Sequence, residues 1–168
     1  LVINKDFDRL LEQDQLRAEI IGLPISFVIL LFVFGTFTAA VLPMAIVALM
    51  LPLAIGLSFF ISGYFPMTQY STSMISLIGI AVSIDYSLFM ISRFREEIDS
   101  GASTEDAIAT MMSTAGRAIL YSGATVAVGL CSLFYFTQTH MPSMGMGAFL
   151  AVLGALLYSM TILPALLS

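Results

Sequence analysis

Between Ile20 and Ile84 the chain carries no formally charged residue, and a second uncharged stretch runs from Ala118 to Ser168. About 20 apolar residues suffice to cross a bilayer as a helix, and both stretches are far longer than that. A water-soluble domain carries charge on roughly a quarter of its residues. Here the share is 10%, against 59% hydrophobic residues. The sequence therefore predicts an all-α integral membrane protein, in which each helix satisfies its own backbone N–H and C=O groups.

Helix breakers divide the two stretches into a predicted bundle of five transmembrane helices, over about 18–37, 40–62, 71–92, 116–136 and 143–167. Gly35-Thr36, Gly63-Tyr64-Phe65-Pro66 and His140-Met141-Pro142 mark turns. Pro43 is expected in the first turn of its helix, where a missing N–H costs nothing. Pro24, Pro52 and Pro164 fall inside spans and should bend them. Residues 1–17 read as an amphipathic helix feeding the first span, with Leu10, Leu11, Asp14 and Arg17 at helical spacing. They also read as the last strand and stalk of an extracytoplasmic domain. Residues 93–115 read as an amphipathic cytoplasmic connection made of two short surface helices. Gly101 ends one of them, and Ser103 caps the next, with Asp106 three residues later. Of the connections between spans, this one alone is strongly basic, through Arg93, Arg95 and Arg117. That places it in the cytoplasm, with the N-terminus outside and the C-terminus inside. The chain starts at Leu1 with no signal peptide and stops at Leu166-Leu167-Ser168, so both ends are expected to be cuts in a longer protein.

Composition also excludes functions. Six basic residues form no patch for nucleic acid. A single cysteine, Cys131, rules out an internal disulfide and a cysteine-based metal site, and is expected to be a small core residue. His140, in an outer turn, reads as an exposed loop residue rather than a ligand. Met44, Met50, Met74 and Met90 read as apolar filling. Gly123 and Ala127, and likewise Gly147, Ala151 and Ala155, are four residues apart, a spacing that lets helix backbones approach closely in lipid. No cofactor or metal is expected. Nor is an enzyme: an intramembrane aspartyl protease needs two carboxylates where the spans hold one, and no base accompanies a serine at the same depth.

That one carboxylate is Asp85, in Ile84-Asp85-Tyr86-Ser87-Leu88-Phe89. It lies seven residues before Ser92, near the membrane boundary, and hence about 10 Å deep. Insertion scales put the cost of an acid there at roughly 2.5–3.5 kcal/mol. Its side chain is too short to reach the interface, so it must be neutral or meet a polar partner. At 100° per residue, Ser73, Ser76, Ser83 and Ser87 fall on one side of the helix. Asp85 falls nearly opposite, with Ala81, Leu88 and Ser92, and Tyr86 lies between the two faces. The serines are therefore expected at packing positions, and Asp85 to need a partner from another helix. The functional reading of Asp85 is a proton-relay carboxylate.

The segments Asp14–Ile25, Leu30–Gly35 and Ala39–Pro43 resemble the second transmembrane helix of MMPL-type transporters of the resistance-nodulation-division superfamily. The resemblance continues through Gly79–Arg95, where Ile84–Phe89 and Ser92-Arg93-Phe94-Arg95-Glu96-Glu97 are its most specific parts. It runs on through Ala115-Gly116-Arg117 to Thr161–Leu166. It implies the second to sixth helices of one half of such a transporter, and the sequence Arg93–Glu97 is similar to the first half. It further implies that Asp85 and Tyr86 form half of a proton-relay site, with H+ as coupling ion and a second pair in the other half. The partners implied are the remaining half of the transporter with its extracytoplasmic domains, membrane lipids, and a hydrophobic or lipid substrate. The function implied is that of a secondary active transporter component: the transmembrane module of a proton-motive-force-driven exporter of lipids or other hydrophobic compounds. Its expected place is the bacterial cytoplasmic membrane. A second reading, a sterol-sensing-like lipid-binding module that does not pump, shares the helix arrangement.

Overall fold

The structure, a computed structural model, describes residues 2–136 and 139–168. Six α-helices follow one another: α1 (Val2–Phe34), α2 (Phe37–Ile61), α3 (Gln69–Asp99), α4 (Thr104–Met111), α5 (Arg117–Cys131) and α6 (Met141–Leu167). A π-turn, Met112–Gly116, joins α4 to α5, and a 3-10 turn, Ser132–Tyr135, extends α5. No strand occurs among the described residues. Among the described residues five segments are long and apolar enough to cross a membrane: Gln13–Phe34, Phe37–Ile61, Gln69–Asp99, Thr104–Tyr135 and Met141–Leu167.

The chain divides into two compact units, Leu1–Val41 and Leu42–Ser168. In the first, α1 runs without interruption from Val2, so the strand anticipated before the first span is not formed. Helical spacing of the apolar residues wins there over any extended pairing. Along its span α1 exposes Ile20, Ile21, Ile25, Val28, Phe32 and Val33, a surface suited to hydrocarbon. The break at Gly35 has φ +65°, where a residue without Cβ is at ease. The Gly35 N–H donates to the Leu31 carbonyl at 2.9 Å, and the Phe27 and Phe37 rings meet edge-on at 5.7 Å. This tight turn lets α2 begin at Phe37, earlier than expected. Pro43 consequently lies inside α2 rather than in its first turn, and the Ala39 carbonyl loses its usual helical donor.

The second unit is organised around α3 and α6. Ser71, Ile75, Gly79, Ser83, Ser87 and Ile91 of α3 are buried. So are Gly147, Ala151, Ala155, Ser159 and Leu163 of α6. Both sets advance by four residues. Gly147 lies so close to Ser71 that a Cβ there would overlap the Ser71 carbonyl, and Gly79 faces Ala151. These contacts progress together along both helices, so α3 and α6 are parallel. Lipid supplies no hydrophobic drive between helices, and close approach through small residues supplies dispersion contacts instead. α2 contributes Met50, fully buried, whose thioether end fills the space beside Gly79 and Gly154. α5 runs antiparallel to α6, with Gly123 against Leu156 and Gly145 against Leu133. Where the α2–α3 connection meets the start of α6, the Thr68 backbone N–H and hydroxyl both donate to Ser143 Oγ, at 2.7 and 3.0 Å.

Two expectations change in this unit. Cys131 is exposed rather than in the core; in a chain bathed in lipid, an apolar surrounding sequence does not distinguish the packed face from the outer one. The pair of short surface helices is also not formed as such. The first is the last two turns of α3, closed at Gly101 (φ +94°). There the N–H groups of Gly101 and Ala102 donate back to Ile98 and Glu97, the pattern that ends many helices at glycine. The second is α4. Ser103 caps it, accepting from the Asp106 N–H at 3.2 Å and donating to the Asp106 carboxylate at 2.7 Å. No breaker follows, so α4 passes through the π-turn directly into α5.

Candidate relay site on helix α3

α3 is two-faced. Leu77, Ala81, Asp85 and Phe89, four residues apart, form an outward stripe. Ser76, Gly79, Ser83, Tyr86, Ser87 and Met90 point inward. Asp85 is thus an exposed acid near the middle of a spanning helix, flanked one turn away on each side by apolar residues. The chain's basic residues are Lys5, Arg9, Arg17, Arg93, Arg95 and Arg117, so no span reaching the depth of Asp85 brings it a cation. Arg93 is engaged at the end of α3, pairing with Glu96 at 2.7 Å and Glu97 at 2.5 Å.

Tyr86 turns the other way. It is 8% exposed, with the Ser122 hydroxyl of α5 beside its phenol. The two neighbours therefore point in different directions: Tyr86 into this unit, and Asp85 away from it. Residue spacing on α3 was enough to separate Asp85 from the serines. Ser122 was not anticipated, because its alignment with Tyr86 depends on the rotation of α5, which nothing in its own composition marks.

Among the described residues no three His, Cys, Asp or Glu side chains cluster as metal ligands. His140 is exposed, its ring 5.5 Å from that of Tyr70. A cavity of about 570 Å³ opens there, lined by Phe65, Pro66, Thr68, Phe134, His140 and Pro142 among others. Asp85 lies 17 residues along from Thr68, or roughly 25 Å at 1.5 Å per residue, so this cavity is separate from the acid.

The sequence model of the MMPL family matches residues 2–168. Over 157 residues the chain is 40% identical to the mycolic acid-containing lipids exporter MmpL11 of Mycolicibacterium smegmatis, covering 94% of this chain and 16% of that protein. It is 37% identical over 154 residues to the trehalose monomycolate exporter MmpL3 of Mycobacterium tuberculosis, covering 92% of this chain and 16% of that one. It is also 38% identical over 157 residues to the heme uptake protein MmpL11 of Mycobacterium tuberculosis, covering 94% and 16%. The chain thus spans 16% of the length of these relatives.

Proposed function

The chain belongs to the MMPL family, and from that premise we propose that it is the membrane-embedded module of a proton-driven exporter of lipids or other hydrophobic compounds, with Asp85 as the group that takes and releases the proton. The observation that carries this reading is the outward position of Asp85 on an otherwise apolar stripe of α3. An acid in that position costs roughly 2.5–3.5 kcal/mol to insert, and nothing in this chain's own packing needs it there. Its natural counterpart is a polar surface on the rest of the transporter, since the relatives named as exporters are far longer than this chain.

The chemistry follows from two states of one side chain. Ionised, Asp85 favours an arrangement in which donors from the facing half surround it. Protonated, it is a small neutral group that tolerates an apolar or re-packed neighbour. A proton therefore shifts the equilibrium between two helix arrangements by the difference in those interaction energies. Tyr86, beside Ser122, passes the displacement of α3 to α5.

In the full-length transporter, Asp85→Asn keeps the shape and cannot release a proton. Export of acetate-labelled lipid to the cell surface should be abolished while membrane abundance stays near wild type, because a neutral amide is cheaper to insert than a carboxylate. Wild-type export by a well-folded Asp85→Asn protein would remove the relay and leave a lipid-binding module as the better reading.

A further inference from the structure

Tyr64, Tyr70 and Tyr135, half of the chain's six tyrosines, stand at one end of the second unit, where α2, α3 and α5 reach the ends of their spans. Tyr64 and Tyr135 are largely exposed. Tyrosine collects at the boundary between hydrocarbon and water, where its ring lies in the apolar layer and its hydroxyl in the wet one. This end of the unit therefore sits at the level of the lipid headgroups, and the cavity beside Tyr70 opens there.

The cavity has apolar walls and one polar corner. Phe65, Pro66, Phe134 and Pro142 form the walls, the two rings meeting edge to face at 5.9 Å. Thr68, His140 and Ser143 form the corner. None of the described lining residues is an acid, a lysine or an arginine. A charged headgroup would enter without a counter-charge, at a far greater cost than a neutral group that finds hydrogen bonds.

The corner supplies those bonds. Thr68 precedes α3, where a threonine usually accepts from the free N–H groups of its own helix. It makes no such bond and spends its hydroxyl on Ser143 instead. Ser143 is 3% exposed, and the two bonds from Thr68 occupy both lone pairs of its oxygen. Its own proton is left to donate, and no acceptor among the described residues meets it. Beside it, the exposed His140 ring, 5.5 Å from that of Tyr70, adds nitrogens that can donate or accept. Donor and acceptor side by side, without charge, match a hydroxyl. The volume, about 570 Å³, lies within the roughly 300–1,000 Å³ usual for small-molecule sites.

We propose that this cavity binds an uncharged, hydroxyl-bearing amphiphile from the membrane surface, with its chain against Phe65 and Phe134 and its headgroup on Ser143 and His140. The site stands apart from Asp85, so its occupancy does not depend on the proton reading.

The test uses the full-length transporter in phosphatidylcholine vesicles, with a monoacylglycerol carrying a diazirine in its chain as the probe. After illumination, adducts are located by mass spectrometry. Those at Phe65, Pro66, Phe134 or Pro142 should saturate and be displaced by excess unlabelled monoacylglycerol, whereas labelling from bulk lipid rises in proportion to the probe. His140→Phe keeps a ring against Tyr70 and removes both nitrogens. It should lower the saturable yield several-fold and leave the proportional labelling unchanged. The same chain ending in a phosphate should label the site several-fold less. Absence of saturable adducts at these residues overturns the proposal, as does equal labelling by the phosphate probe or a wild-type yield in His140→Phe. If another segment of the transporter fills the cavity, benzoylphenylalanine in place of Phe134 crosslinks to protein rather than to monoacylglycerol, and the proposal falls as well.

Discussion

Ser143 accepts two hydrogen bonds from Thr68, whereas the hydroxyls of Ser83, Ser87 and Ser159, just as deeply buried, have no partner. The same substitution should therefore act in opposite directions. Ser87→Ala or Ser159→Ala removes an unpaired polar group whose burial costs about 1–3 kcal/mol, and should leave thermal stability in detergent unchanged or raised. Ser143→Ala should lower it by about 0.6 kcal/mol per lost bond, the average found for hydrogen bonds between membrane helices. A Ser87→Ala protein as destabilised as Ser143→Ala would mean that the α3 hydroxyl is paired after all. Positions such as Ser83, Ser87 and Asp85 were legible from the sequence because one helix's own periodicity sorts its faces. The outward turn of Cys131 was not, because a lipid-facing position and a packed one are equally apolar.

The pairing of α3 with α6 was half legible. The four-residue spacing of Gly147, Ala151 and Ala155 marked a packing face, but not which helix would meet it. That depends on Ser71 and Gly79 presenting matching small surfaces. The two glycines should not be equally sensitive. At Gly147 an added methyl meets the Ser71 backbone, which cannot yield without shifting α3. Overpacking of that kind costs about 1–3 kcal/mol. At Gly79 the obstacle is the terminal methyl of Met50, which can turn aside because methionine is flexible. Gly147→Ala should thus lower the unfolding temperature clearly more than Gly79→Ala. Equal losses would mean that Met50 is as rigid as backbone. The π-turn is the least legible element: Ser113 and Thr114 are ordinary singly, and only together do their hydroxyls both donate to the Thr110 carbonyl beside the widened turn.

Membrane orientation belongs to the chain as a unit, and the positions of the basic residues are its marker. Arg93, Arg95 and Arg117 lie around the connection between α3 and α5, while Lys5, Arg9 and Arg17 precede the first crossing. Of the connections between spans, only the one holding the first group is strongly basic, which favours that group on the cytoplasmic side. Single cysteines at Ser100 and Tyr64, both exposed, in a Cys131→Ala background, should react with an impermeant thiol reagent from opposite sides, with Tyr64→Cys labelled from outside. Labelling of both from one side would break the topology. Biosynthesis adds a second role for the outward stripe of Leu77, Ala81, Asp85 and Phe89. On the proposed reading, a newly made copy that has not met the rest of a transporter displays an acid to lipid, much as an orphan subunit displays an unclaimed surface to the cell's quality control. Pulse-chase labelling should find this chain short-lived when made alone, and longer-lived either with Asp85→Leu or beside the complementary half. The group proposed to take the proton would then also serve as the checkpoint that decides whether the transporter has been completed.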